Sequence, residues 1–300
     1  MPPWPADVAR AYAACAALAR AHYENFPVAS RLLPASMRPH VAALYAFARV
    51  ADDIADEGSE PAEARQSQLL AWRRRLHAAV AAEGAGSVGS ARSSRDDLIV
   101  LALTHSIRTL DLPMSLFDDL LSAFGQDTMT TRYASWPDVF DYCRRSANPV
   151  GRLVLRIAGY RQDALDRSSD ALCTALQLTN FWQDLGRDWR AGRVYVPAEV
   201  LTTCGAAEGD LSSGRLTPAW LRAVDACAVV TRSLFEEGRA VCEGVRGRLK
   251  WELRLTWLGG RRLLDLVERR GADLPERRPT LGVRDLAPLL WGALFWREIE

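Results

Sequence analysis

Two acidic stretches of this chain carry residue types and spacings suited to chemistry. The segment Tyr45-Ala-Phe-Ala-Arg49-Val-Ala-Asp52-Asp53-Ile-Ala-Asp56 places Asp52 and Asp56 four residues apart. The segment Gln177-Leu-Thr-Asn180-Phe-Trp-Gln183-Asp184-Leu-Gly-Arg187-Asp188 does the same with Asp184 and Asp188. On an α-helix that spacing sets both carboxylates of a pair on one face. Like charges there repel, so a largely apolar helix does not carry them without a compensating cation. Tyr45, Arg49, Asp52 and Asp56 fall on one narrow helical stripe, and so do Gln177, Asn180, Asp184 and Asp188. Hard carboxylate oxygens in such pairs suit Mg²⁺, which takes a few carboxylates and completes its shell with phosphate oxygens and water. Basic residues would take the remaining charge of a polyphosphate, and Arg49 sits one turn from Asp52. The plainer alternative is a pair of solvated faces neutralised by Arg49, Arg187 and Arg190. It accounts for either stretch alone better than for both together.

The elements that must position these stripes are helical. Apolar residues recur at three- and four-residue intervals almost throughout and no alternating runs occur, so an all-α fold is expected. Helices are expected over about 6–22, 38–57, 61–82, 95–107, 114–125, 137–160, 163–190, 217–245, 248–270 and 283–297. They read as one all-α domain over 1–300, with polar stripes that face each other or a wet cavity. Residues 82–94 are expected to form a flexible Gly/Ser loop, and 286–297 an apolar terminal helix. That loop contains Gly84-Ala-Gly86-Ser-Val-Gly89, which spells a dinucleotide-binding pattern. The pattern works only between a strand and a helix, so a surface loop is expected and a nicotinamide cofactor is not.

Composition narrows the classes further. With 38 basic against 37 acidic residues and no basic block, a general nucleic-acid binder is excluded. The six cysteines include no C-x-x-C pair and read as reduced thiols. The start Met-Pro-Pro-Trp-Pro-Ala-Asp does not read as a signal peptide, and no apolar run approaches the roughly 20 residues of a membrane-spanning helix. A cytoplasmic protein is expected, with room for peripheral contact with the inner face of a membrane through Trp291, Trp296 and their neighbours. Packing of that helix on the bundle is the stronger expectation for it. His40, His77 and His105 lack metal-ligand spacing and read as structural or surface residues.

The two motifs together, D-x-x-x-D and N-x-x-x-D-x-x-x-D, resemble the squalene/phytoene synthase family of head-to-head prenyl synthases. Leu178-Thr-Asn-Phe-Trp-Gln-Asp-Leu-Gly-Arg-Asp188, Gly192-Arg193-Val-Tyr195-Val-Pro197, Arg132-Tyr133 and Tyr142-Cys-Arg-Arg-Ser-Ala-Asn-Pro-Val-Gly151 carry the same resemblance. It runs from about residue 15 to 280. Within the family, His22-Tyr-Glu-Asn-Phe-Pro-Val-Ala-Ser30-Arg-Leu-Leu-Pro34 and Asn180-Phe-Trp-Gln-Asp-Leu look most similar to the hydroxysqualene synthase branch of bacterial hopanoid pathways.

The resemblance implies an isoprenoid-synthase helical bundle with a central cavity and several Mg²⁺ ions held by Asp52, Asp56, Asp184 and Asp188. Tyr45 and Arg49 match positions that touch the diphosphate, and His22, Gln177 and Asn180 positions that assist at the same mouth. Arg193 and Tyr195 match a loop able to close over the diphosphate, and Arg277 a distal basic position. Phe26, Phe47, Phe181 and Trp182 are candidate walls for a carbocation, though a plain core role is the stronger reading of each.

The implied reaction is ionisation of presqualene diphosphate, rearrangement and water capture to hydroxysqualene. A separate enzyme would make the substrate and a separate reductase would take the product. The alternatives are condensation of two farnesyl diphosphates to presqualene diphosphate or squalene, and a non-catalytic lipid-binding or assembly homologue. Three departures from the carotenoid-type pattern stand out: Arg144 where a tyrosine is usual, Gly260 at an aromatic position, and Gln183 in place of arginine.

Overall fold

The computed structural model describes residues 4–21, 32–56, 60–82 and 94–297. His22, Phe26 and most of the Gly/Ser stretch lie outside the described residues. Thirteen α-helices are present among those described, and the only extended pairing there is an isolated bridge between Arg132 and Val194. The all-α expectation therefore holds. The chain divides into two compact units, Met1–Met129 with Arg152–Arg161, and Thr130–Gly151 with Gln162–Glu300.

The first unit contains α1 (Ala6–Ala21), α2 (Arg38–Asp56), α3 (Ala62–Ala81), α4 (Arg95–Leu110) and α5 (Met114–Asp127). Helix α2 packs against all four of the others. Its inner face is Val41, Leu44, Phe47, Val50 and Ala51, all buried. Phe47 stacks on Trp72 at 5.2 Å and meets Phe117 edge-on at 6.1 Å, so three helices share one aromatic centre. Where α1, α2 and α4 meet, Tyr12 hydroxyl lies 3.0 Å from His40 Nδ1, 2.9 Å from His105 Nδ1 and 2.8 Å from Ser106 Oγ. Two of the three histidines without metal spacing are thus structural. The third, His77, pairs with Asp118 on the surface.

The second unit holds α6 (Trp136–Ser146), α8 (Asp163–Gln183), α9 (Leu185–Arg190), α10 (Ala198–Cys204), α11 (Pro218–Gly244), α12 (Gly247–Arg270) and α13 (Val283–Phe295). Its centre is the long contact of α8 with α11, backed by α12. Gly260 on α12 explains one of the sequence departures. A Cβ there would come within 2.6 Å of Leu176 Cδ2 and 2.8 Å of Phe235 Cζ, so Phe235 already occupies the space an aromatic would need. Arg144, another departure, is exposed and pairs with Asp141 at 2.8 Å.

Two expected helices are each interrupted. The one placed at 137–160 breaks at Ala147 and resumes as α7 (Asn148–Ile157), because Pro149 has no N–H and fits only the first turn of a new helix. The one placed at 163–190 bends at Asp184, whose φ of −95° and ψ of 9° leave the helical range. Hydrogen bonding continues through the bend: Asp184 N donates to Asn180 O and Asp188 N to Asp184 O, both at 2.9 Å. One-turn spacing of the two aspartates is preserved.

All six cysteines are unpaired. Burial pushes the thiols of Cys15, Cys143, Cys173 and Cys242 up to about 12, which leaves them protonated and inert. Among the described residues no helix is long and apolar enough to cross a membrane.

Candidate active site

The last two turns of α2 carry the first aspartate pair. With the inner face committed to the core, Tyr45, Arg49 and Asp52 are left half-buried at its margin and Asp56 exposed at the helix end. Arg49 answers the charge problem at Asp52, and it does so together with the adjacent Asp53 rather than with Asp56. Its Nη1 lies 3.1 Å from Asp52 Oδ2 and its Nη2 2.7 Å from Asp53 Oδ1, one helical turn away. One guanidinium therefore neutralises two carboxylates that would otherwise repel. Burial is the main reason the Tyr45 phenol is pushed above its usual value; Arg49 opposes the rise and Asp52 and Asp53 add to it. Tyr45 stays a neutral hydrogen-bonding group beside the acidic cluster.

The second pair lies at the junction of α8 and α9. Phe181, Trp182 and Gln183 are buried, Gln177 and Asp188 half-buried, and Asn180 exposed. Asp184 is gripped by Arg278, whose Nη2 is 3.1 Å from Asp184 Oδ2 while its Nε donates to Oδ1. Arg187 stands further off, at 3.8 Å. Arg278 was not singled out from the sequence. Its neighbour Arg277, which was, is exposed, and its backbone N–H donates to Asp273 O at 2.9 Å. Two consecutive arginines before a proline carry no signal of which one turns inward.

After α9 the chain reverses at Gly192, whose φ of +80° is open to glycine at little cost. Arg193 N then donates to Asp188 O at 2.7 Å. The segment that follows is pinned to residues 131–134: Val194 N donates to Thr131 O at 3.0 Å, and Ala198 N to Tyr133 O at 3.0 Å. Tyr195 lies flat on Phe181, with ring centroids 3.7 Å apart and planes 4° from parallel, and Tyr133 stacks against Tyr195 at 5.8 Å. Tyr195 and Phe181 form a fixed aromatic block behind the second motif. Trp182 donates from its ring nitrogen to Thr231 at 2.9 Å and, like Phe47, is fully enclosed; both serve the core.

Each aspartate pair offers hard oxygen donors one turn apart, on partly exposed side chains, with an arginine already attracted to their charge. Among the described residues no group of three or more His, Cys, Asp or Glu forms a ready-made cage. A donor set of this kind fits Mg²⁺, which binds one or two carboxylates and takes its other ligands from phosphate and water.

Comparison with known proteins gives this geometry its context. A family model described as squalene/phytoene synthase matches residues 19–285. The hydroxysqualene synthase of Zymomonas mobilis is 37% identical over 214 residues, covering 71% of this chain and 68% of the relative. That of Rhodopseudomonas palustris is 34% identical over 224 residues, 74% of this chain and 72% of the relative. Among solved structures, a squalene synthase from Alicyclobacillus acidocaldarius superposes with a TM-score of 0.80 at 38% identity, over 89% of this chain and 97% of that one. A dehydrosqualene synthase with bound ligand shares the fold at a TM-score of 0.82 and 22% identity, over 97% of each chain. From motif, geometry and likeness alike, the chain belongs to the squalene/phytoene synthase family.

Proposed function

We propose that this protein is a Mg²⁺-dependent hydroxysqualene synthase that converts presqualene diphosphate and water to hydroxysqualene and inorganic diphosphate. The observation that carries the reading is the second aspartate pair, Asp184 and Asp188, held one turn apart at the bend of a helix that also presents Asn180. Identity of 34–37% to two hydroxysqualene synthases supports it.

Asp52, Asp56, Asp184 and Asp188 are the proposed metal ligands. When bound, Mg²⁺ supplies Lewis-acid stabilisation of the charge that builds on the departing diphosphate. Arg49 and Tyr45 are proposed to bind diphosphate oxygens, the first as a planar double donor and the second as a neutral one. Gln177 and Asn180 extend the second stripe as amide donors. His22, Arg193 and Arg277 complete the proposed diphosphate contacts, and Phe26 joins the apolar wall. The rigid stack of Phe181 and Tyr195 fixes the backbone from which Asp184, Asp188 and Arg193 project. Loss of diphosphate leaves a cyclopropylcarbinyl cation, which rearranges; a water oxygen then forms the new C–O bond and releases one proton.

Product and substrate are both 30-carbon lipids, and α13 offers a surface suited to lipid. Its outward arc of Val283, Leu286, Leu290, Trp291, Leu294 and Phe295 is half or more exposed. Arg284 near its start and Arg297 just past its end are exposed as well. An apolar face bounded by cations fits a bilayer with anionic headgroups. Trp296 takes the other course, packing on Trp257 at 5.4 Å with the Arg254 guanidinium 4.7 Å above its ring.

The direct test is incubation of the purified protein with presqualene diphosphate and Mg²⁺ in the absence of a nicotinamide cofactor. Hydroxysqualene is the expected product, and unchanged substrate overturns the reading. The likeness to a squalene synthase favours one competing reaction, condensation of two farnesyl diphosphates. Rapid consumption of farnesyl diphosphate alone identifies that reaction instead.

A further inference from the structure

Arg278 is held in place by more than its own side chain. Gln183, immediately before Asp184, is buried and donates its amide to Pro279 O at 2.7 Å. At Gly186, two residues after Asp184, a Cβ would fall 1.9 Å from Pro275 O, so the backbone of the 275–279 segment lies directly against α9. Leu274, Pro275 and Pro279 are all buried. Arg278 projects from between these two attachments, and its fork meets both oxygens of Asp184. The side chains of the pair are 22% and 24% exposed, against 64% for Arg187. This is a built contact, unlike a surface pair whose long side chains must be immobilised to form it.

We propose that Arg278 is the resident counter-cation of Asp184, a positioning residue that keeps the carboxylate oriented and that a metal must displace in order to bind. This inference rests on the reading of Asp184 as a metal ligand. A guanidinium that donates to both oxygens takes one lone-pair site on each and sets a positive charge where a cation would approach, so metal and Arg278 compete for the same carboxylate. Displacement costs least when a diphosphate arrives with the metal. The diphosphate brings extra oxygen ligands for the ion and an anion for the released guanidinium. Arg278 thereby couples metal uptake to diphosphate and keeps the second motif from filling without it. Gln183 supports this arrangement by fixing the backbone next to Arg278.

The test is binding of Mn²⁺, a paramagnetic substitute for Mg²⁺, to the full chain by electron paramagnetic resonance, with and without inorganic pyrophosphate. Arg278→Gln is expected to bind Mn²⁺ alone about two- to fivefold more tightly than the parent, the order expected for loss of one competing ion pair. The additional gain from pyrophosphate should shrink by a similar factor. Arg278→Lys, which keeps the charge and loses the fork, should fall between, and it serves as the test variant if Arg278→Gln does not fold. A folded variant with unchanged or weaker Mn²⁺ binding in the absence of pyrophosphate overturns the proposal. Asp184→Asn separates the two layers of the argument. If it leaves Mn²⁺ binding intact, the metal-ligand reading of Asp184 has failed. If it abolishes binding while Arg278→Gln behaves as the parent, only the role of Arg278 has failed.

Discussion

The buried side-chain amide of Gln183 donates to the backbone carbonyl of Pro279 at 2.7 Å, tying the end of α8 to the segment that precedes α13. The two residues are 96 positions apart in sequence. Gln183→Ala leaves that carbonyl buried without this donor, which costs about 1–3 kcal/mol. A lower urea midpoint is expected, together with tighter Mn²⁺ binding in the same direction as Arg278→Gln. An unchanged midpoint would show that the bond contributes nothing to the fold.

Asp184→Asn removes charge without changing shape. Turnover of the prenyl diphosphate substrate is expected to fall by about 10²- to 10³-fold, the order seen when one group that stabilises transition-state charge is lost. Asp52→Asn should act alike. Steady-state rates across a Mg²⁺ series check this, and undiminished turnover in either folded variant rules that residue out as a ligand.

His40 makes stability depend on pH. Burial, reinforced by the neighbouring His105, lowers its pKa from 6.5 to about 4, and His105 is lowered too, mainly by burial. The folded state therefore binds fewer protons than the unfolded chain between those values. Its contribution is present above pH 6.5 and is lost as pH falls towards 4. From pH 7 to pH 5 the loss from His40 is about 2 kcal/mol. Urea titrations at the two pH values measure it, and equal stabilities would contradict a buried neutral imidazole.

Gly260→Ala pits helix propensity against packing. Alanine gains about 1 kcal/mol in a helix interior, but overpacking a closed core costs about 1–3 kcal/mol. With ring atoms of fully buried Phe235 at 2.8 Å from the added Cβ, packing is expected to win and Tm to fall. Adding Phe235→Leu should recover part of the loss, and a double-mutant cycle reads the coupling.

Leu290→Asp with Trp291→Ser places a charge and a polar group on the exposed arc of α13. Flotation with vesicles containing anionic lipid is expected to show binding by the parent protein. In the variant it should weaken about tenfold or more, given roughly 1.5–3 kcal/mol for full burial of one large apolar side chain. The absence of parent binding would remove the lipid-surface reading of this helix.

Much of this was legible in the residues themselves. The apolar period of three and four set the helices, because a helix that buries one face must repeat its apolar residues at that interval. One-turn spacing placed each aspartate pair on a face, and the bend at Asp184 did not undo it. The expected helix over 137–160 misses the break before Pro149, although a proline's missing N–H is a signal for it that periodicity passes over. The resemblance of the two motifs to a family of prenyl synthases was likewise present in the linear order.

What the sequence alone could not decide was which partner each of these groups would meet. Arg49 lies within a turn of Asp52 and Asp53, so local geometry forecasts that pairing. Arg278 reaches Asp184 from 94 residues away. Only the packing of Pro275 against Gly186 and the bond from Gln183 to Pro279 distinguish it from Arg277. Tyr195 likewise reads as a loop residue in sequence and proves to be one face of a ring stack. Contacts of that length depend on how backbones approach one another in three dimensions, and local propensity carries no record of that approach.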